Sequence, residues 1–252
     1  MRRGSVEAMS THEHEAQGLG QERHRGSLRE GERVQIRDPK GRLHTVILVS
    51  GGRFQSNRGF INHDDLIGRP DGQVITTEEG RQFQILRPLQ VDYVMSMPRG
   101  AAVVYPKDAG TILHYADIFP GAVVVEAGAG SGALSMALLD AVGERGRLIS
   151  VERREEFAQI ARDNVELWFG APHPAWDLRV NDLADELNAM PASSVDRVVL
   201  DMLAPWENLD AVAHALVPGG VLCCYIATVT QMSRLIEDLR SSQNFTDPVA
   251  WE

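Results

Sequence analysis

Four acidic side chains in this sequence sit in or just after short apolar, strand-like runs. Glu126 closes Val123-Val124-Val125-Glu126, and Glu152 follows Leu148-Ile149-Ser150-Val151. Asp182 follows Leu178-Arg179-Val180-Asn181, and Asp201 follows Val198-Val199-Leu200. The first run leads directly into Ala127-Gly128-Ala129-Gly130-Ser131-Gly132-Ala133-Leu134, three glycines at alternate positions before a helix-forming segment. Glycine allows a tight turn through dihedrals closed to other residues and lets a ligand approach the backbone. The free N–H groups at the helix start then offer donors to a polar or anionic group. Glu152 lies 24 residues beyond Gly128, where a carboxylate can accept hydrogen bonds from both hydroxyls of a ribose. The combination reads as a site for a nucleoside-containing cofactor.

Two details choose among such cofactors. Gly128, Gly130 and Ala133 satisfy the loose G-x-G-x-x-G/A pattern of dinucleotide sites. Gly132 adds a third alternate glycine, and Glu126 stands two residues before the first. The resulting E-x-G-x-G-x-G favours S-adenosyl-L-methionine, with the acid near the methionine end. A nicotinamide dinucleotide would bring a diphosphate that a neighbouring carboxylate repels. Asp182, with Leu183 beside it, is placed to meet the adenine amino group, although Asp in that position is also an ordinary helix cap.

Asp201 opens Asp201-Met202-Leu203-Ala204-Pro205-Trp206, an acid followed by proline and an aromatic at a strand end. Methyltransferases acting on ring or exocyclic nitrogens often place such a segment beside the methyl group. A carboxylate there can accept from adenine N6 and offset the charge that develops when N1 is alkylated, so it acts by orientation and electrostatics. The sequence has no His/Cys cluster at zinc spacing, no G-x-S-x-G elbow and no phosphate-binding P-loop.

The elements that must hold these residues follow from the order of the chain. Residues 1–29 are rich in Arg, Glu, His, Gly and Ser and are expected to form a disordered tail, in which His12 and His14 are no more than a weak chelating pair. Residues 30–89 alternate short β-like runs with Gly and Asp turns: Arg33 to Ile36, His44 to Val49, Arg53 to Ser56, Gln73 to Thr76 and Gln82 to Leu86. They predict a small all-β domain, a barrel or sandwich, whose Arg53, Arg58 and Arg69 are candidates for phosphate contacts.

Residues 90–252 predict a Rossmann-like α/β domain. Strands end on Glu152, Asn181-Asp182 and Asp201, a fifth runs from Val221 to Ala227 after the Pro218-Gly219-Gly220 turn, and helices of 10–15 residues separate them. A net charge of −10 excludes indiscriminate nucleic-acid binding but not one folded RNA met by a local basic surface. The longest apolar stretch is too short to span a bilayer, and the adjacent Cys223 and Cys224 read as core filler in a reducing cytoplasm.

Taken together, several segments resemble the TrmI family of tRNA (adenine-N1)-methyltransferases, in its actinobacterial form. They are Leu86-Arg87-Pro88, Val91 to Gly100, Tyr105-Pro106-Lys107-Asp108, Val125 to Leu134 and Leu200 to Trp206. The resemblance extends from about Gly31 to the C-terminus and implies formation of N1-methyladenosine at the T-loop adenosine of tRNA by a homotetramer. Carried over by position, Ser131, Gly132, Ala133, Leu134 and Glu152 would bind the cofactor, Asp201 would lie between cofactor and base, and Tyr105 would line the base pocket. The family adds two strands after the fifth as an antiparallel hairpin; this sequence ends at Ala250-Trp251-Glu252, so a C-terminally incomplete domain is expected. Competing functions are methyl transfer to another RNA position or a small molecule, a nicotinamide oxidoreductase disfavoured by Glu126 and Gly132, and an RNA-binding partner subunit without catalysis.

Overall fold

The computed structural model describes residues 25–57 and 59–251. His12, His14 and Arg58 lie outside the described residues, as does most of the expected tail. Its final residues require a correction. Leu28 is buried at 1% exposure, its N–H donates to the Arg69 carbonyl, and Ser27 bridges Pro70. One large aliphatic side chain among polar residues was enough to dock this stretch on the β core.

The N-terminal part holds β1 (Arg33–Arg37), β2 (Leu43–Ile47), β3 (Arg53–Ser56), β4 (Gly59–Asn62), β5 (Val74–Thr76) and β6 (Gln82–Leu86). Four of these form an antiparallel sheet in the order β2-β1-β6-β5, while β3 and β4 form a separate two-stranded hairpin. Alternation buries Val34, Ile36, Phe83 and Ile85, against which Ile61 and Phe54 of the hairpin pack. The arrangement is a small sandwich rather than a closed barrel. Strand β4 is not legible in the sequence, because Gly59-Phe60-Ile61-Asn62 offers a single buried side chain.

The α/β part begins with α1 (Gln90–Ser96) and α2 (Pro106–Tyr115), the latter opened by proline in its first turn, where a missing N–H is harmless. Then come β7 (Val123–Ala127), α3 (Ala133–Val142), β8 (Arg147–Glu152), α4 (Glu155–Phe169), β9 (Trp176–Val180), α5 (Leu183–Ala189), β10 (Val195–Asp201), α6 (Leu209–Ala215), β11 (Leu216–Tyr225) and α7 (Val229–Ser242). The strands are parallel in the order β11-β10-β7-β8-β9.

Successive side chains on each strand point to opposite faces. Val124, Leu148, Val199 and Cys223 meet α1 to α4, whereas Val125, Ile149, Val198 and Leu200 meet α5 and α6. Both cysteines are free: Cys223 is buried in the first layer and Cys224 packs on the second. The expected turn at Pro218-Gly219-Gly220 instead belongs to β11. The strand pairs with β10 at Leu216, then breaks register before Val221, so the glycines form a bulge within the strand rather than a loop before it.

Candidate active site

Strand order reverses direction at β7, with β8 on one side and β10 on the other. Ligands in such sheets bind beyond the carboxyl ends at this switch point. There the sequence supplies the glycine loop after β7, Glu152 at the end of β8 and Asp201 at the end of β10.

The loop owes its path to its glycines. Gly128, Gly130 and Gly132 all have positive φ, at 85°, 56° and 81°. Gly128 hydrogen-bonds to the Val151 carbonyl at 3.0 Å, and a Cβ on it would stand 2.0 Å from the Asp201 carbonyl oxygen. A Cβ on Gly132 would press on Val165 and Ala161 of α4 at 3.0–3.1 Å. Gly130 is different: its nearest would-be neighbours are 3.7 Å or more away, on Gly128, Ala101 and Ala102. The first and third glycines therefore serve packing, and at the middle one a Cβ would make only ordinary van der Waals contact.

Glu152 is 5% exposed; its Oε2 accepts from the Gly130 N–H at 3.1 Å and its Oε1 from the Arg154 N–H at 3.1 Å. Its carboxylate is thus already in line with the loop amides. Asp201 is half-buried, and burial, then the charge of Glu152, pushes its carboxyl up to about 6. Asp182 lies at the next strand end, where Oδ1 caps α5 through the Ala184 N–H at 2.9 Å and Oδ2 pairs with Arg153 at 3.0 Å. The carboxylate has this capping duty whatever else it meets. The Leu183 side chain turns into the core, so only its main chain can face a ligand. The side chains of Ala133 and Leu134, in the first turn of α3, are likewise buried in the core. The Ser131 hydroxyl accepts from the Gly100 and Ala101 N–H groups at 3.2 and 3.5 Å, facing residues 100–101.

Glu126 departs from expectation. It has no exposed surface, and its Oε2 accepts from the hydroxyls of Ser135 and Ser150, each at 2.6 Å; Trp176 in turn donates to Ser150 at 2.9 Å. Residue 126 shares the strand face of Val124, so its side chain enters the layer packed by α3. The side chain is engaged by Ser135 and Ser150 and has no exposed surface of its own. Burial pushes this carboxyl up to about 7, with the two serine hydroxyls opposing and the charges of Asp201 and Glu152 adding to the rise.

A carboxyl raised in the folded state contributes stability that is fully present below its unfolded pKa and lost as pH rises through the folded one. For Glu126 the window is pH 4.5 to about 7. Thermal melts of Glu126→Gln, whose side chain cannot ionise, should gain on the native chain by about 3 kcal/mol between those limits. A pH-independent difference between the two would place the titration elsewhere.

The far wall contains a residue that sequence reasoning missed. Tyr225, at the end of β11, donates its hydroxyl to Asp108 Oδ2 at 3.1 Å. Burial and then the bond to Asp108 raise its pKa, and Asp201 and Tyr105 lie close enough to add to that rise. Tyr105, which caps α2, is 49% exposed. The signal was present, since Tyr225 ends a strand as Glu152 and Asp201 do, but neighbouring residues gave it no motif. The structure thus brings together Gly128, Gly130, Glu152, Asp201, Tyr225 and Tyr105, and buries the side chains of Glu126, Ala133, Leu134 and Leu183.

A glycine loop, a carboxylate aligned with it and a second acid across the sheet fit a nucleoside cofactor such as S-adenosyl-L-methionine. Among the described residues no group of three or more His, Cys, Asp or Glu is arranged to hold a metal ion.

Comparison with known proteins agrees with this geometry. Residues 26–75 match the family model described as TrmI-like N-terminal, and residues 83–252 match that of the tRNA methyltransferase complex GCD14 subunit. The chain is 33% identical over 201 residues to the tRNA (adenine(58)-N(1))-methyltransferase TrmI of Thermus thermophilus, covering 80% of this chain and 77% of that protein. It is 29% identical over 222 residues to the tRNA (adenine(57)-N(1)/adenine(58)-N(1))-methyltransferase TrmI of Methanocaldococcus jannaschii, covering 79% and 77%. Among solved structures it is similar to the tRNA (m1A58) methyltransferase TrmI of Aquifex aeolicus, with TM-score 0.73, 25% identity and coverage of 85% and 82%. A SAM-dependent O-methyltransferase from Thermotoga maritima gives TM-score 0.78, 29% identity and coverage of 86% and 79%.

Proposed function

The chain belongs to the TrmI and GCD14 family of tRNA methyltransferases, and from that premise we propose that it transfers a methyl group from S-adenosyl-L-methionine to N1 of the T-loop adenosine of tRNA, position 58. The observation that carries the reading is the half-buried Asp201 at the switch point, across from the glycine loop and Glu152 and walled by Tyr225 and Tyr105.

When bound, S-adenosyl-L-methionine would supply a methyl carbon made electrophilic by its cationic sulfur, with a neutral thioether as the leaving group. The backbone amides of the glycine loop and Glu152 would hold the cofactor's polar groups, Glu152 through the ribose hydroxyls. Adenine N1 needs no deprotonation before attack, so the protein's part is placement and charge. Asp201 accepts from the N6 amino group and stabilises the positive charge that grows on the ring as N1 is alkylated. Tyr105 offers an aromatic face to a base brought out of the folded RNA, and Asp108 fixes the Tyr225 phenol at the same rim.

The exposed Arg53, stacked 4.3 Å from the Phe60 ring centroid, and the exposed Arg69 are the candidate phosphate contacts on the β part. A homotetramer, assembling an RNA surface from several acidic subunits, and a cytoplasmic location complete the proposal. No helix of the described residues is long and apolar enough to cross a membrane.

Incubation with labelled S-adenosyl-L-methionine and unmodified tRNA, followed by nucleoside mass spectrometry, tests the reading; N1-methyladenosine at position 58 is the expected product. A different methylated nucleoside would transfer the proposal to another RNA position. Because only the ionised Asp201 offsets the positive charge that grows on the ring as N1 is alkylated, kcat/KM should rise with pH through about 6 and level off above it. A profile flat from pH 5 to 8 would remove the charge of Asp201 from the rate.

A further inference from the structure

Asn164 is a polar residue in an apolar stripe. On α4 the buried positions Ala158, Ala161, Val165, Trp168 and Phe169 follow helical spacing, and Asn164 sits among them at 2% exposure. Its Nδ2 donates to two main-chain carbonyls, those of Pro98 and Ser131, each at 2.9 Å. Both amide hydrogens are therefore committed, and the network fixes which end of the amide is nitrogen.

The two carbonyls belong to segments distant in the chain that meet at the glycine loop. Ser131 lies in the glycine loop. Pro98 leads into residues 100 and 101, whose N–H groups donate to the Ser131 hydroxyl. Ala101 and Ala102 lie against the loop, 3.8 and 3.9 Å from where a Cβ on Gly130 would stand. The helix that carries Asn164 is itself fixed on both flanks. Ala161 and Val165 lie against Gly132, and the Asn164 carbonyl accepts from the buried Tyr93 hydroxyl at 2.8 Å.

We propose that Asn164 is a positioning residue for the cofactor loop, its amide tying the Ser131 carbonyl to the Pro98 carbonyl and so fixing how the loop lies against residues 98–102. It acts through the loop rather than on cofactor or base, and the inference rests on the reading of the loop as an S-adenosyl-L-methionine site. A residue that only supports the fold would lower stability without favouring one ligand. A positioning residue changes cofactor affinity while turnover at saturation persists.

The test is calorimetric titration of S-adenosyl-L-methionine and of S-adenosylhomocysteine into the native chain, Asn164→Ala and Asn164→Ser, with steady-state kinetics beside it. Asn164→Ala is expected to weaken both ligands at least about tenfold, the effect of a buried hydrogen-bond pair lost. The cofactor KM should rise in step, with kcat and the tRNA KM within about twofold of native. Asn164→Ser, which keeps a donor and leaves room for water, should fall between. Unchanged affinity in a folded variant overturns the proposal, as does an equal loss in kcat and in the tRNA KM. If Asn164→Ala does not fold, Asn164→Ser decides by the same criteria; if neither folds, the residue is a fold determinant and the proposal fails. A native chain that binds neither ligand overturns the cofactor reading itself, whereas native binding with equal binding by the variants overturns only the role of Asn164.

Discussion

Asp201→Ala is expected to lower methyl transfer by about 10²–10³-fold, the usual effect of removing one preorganised electrostatic contact to a developing charge. Cofactor affinity should change by less than about threefold, because the loop amides and Glu152 are untouched. The carboxylate is the acid at the end of β10, across the switch point from the cofactor loop. The loss should appear equally in kcat and kcat/KM, as for an interaction made in the transition state. Single-turnover rates with saturating cofactor and tRNA, beside calorimetry with S-adenosylhomocysteine, separate the two quantities. Turnover within tenfold of native would remove Asp201 from the proposed role.

Asp201→Asn refines the test, since the amide keeps the shape and loses the charge. Its rate should lack the rise through pH 6 expected of the native chain.

Gly128→Ala should be the most damaging small substitution in the chain. Its new Cβ would stand 2.0 Å from the Asp201 carbonyl oxygen, a backbone atom in a central strand with no rotamer to change. The positive φ of 85° adds strain for any residue with a side chain. Relief requires β7 and β10 to part at the carboxyl ends, where cofactor and base must meet. A loss of about 3 kcal/mol or more is expected, read as a fall in Tm of roughly 6–12 °C for a chain of this size.

Gly130→Val supplies the contrast. Its Cβ finds its first neighbours at 3.7–3.9 Å, so the fold should persist with only the strain of the left-handed backbone. The added methyl groups instead alter the loop surface at its middle glycine, and calorimetry should show cofactor binding abolished. A Gly128→Ala protein melting within 2 °C of native, or a Gly130→Val protein with unchanged affinity, would contradict this division of labour between the glycines.

The sequence by itself determined the α/β architecture, because buried parallel strands need continuous apolar runs and their crossover helices need 3.6-residue periodicity, and both patterns are local. Helices α3 (Ala133–Val142) and α4 (Glu155–Phe169) have 10 and 15 residues, the lengths expected between the strands. It also determined where the candidate site residues stand: the glycines after β7, Glu152 and Asp201 are all at strand ends beside the switch point. Cysteines at adjacent positions went to opposite faces for the same reason, the two-residue period of a strand.

Tertiary structure decided what depends on partners distant in the chain. Glu126 is an acid in the motif, but whether it faces the crevice or the core rests on Ser135 and Ser150 closing over it. Asp182 is a strand-end acid whose carboxylate is engaged by Arg153 and its own helix start. Tyr225 joins the site only because Asp108, 117 residues away, meets its hydroxyl. Leu28 left the expected tail because a pocket in the β core, assembled from six strands, accepted it. Asn164 has a sequence signal, a polar residue in an apolar stripe, but its two carbonyl acceptors lie 66 and 33 residues away and meet only in the folded chain. Local pattern fixes where an element lies and which face is apolar; the direction and partner of a polar side chain are set by contacts that exist only once the layers have packed.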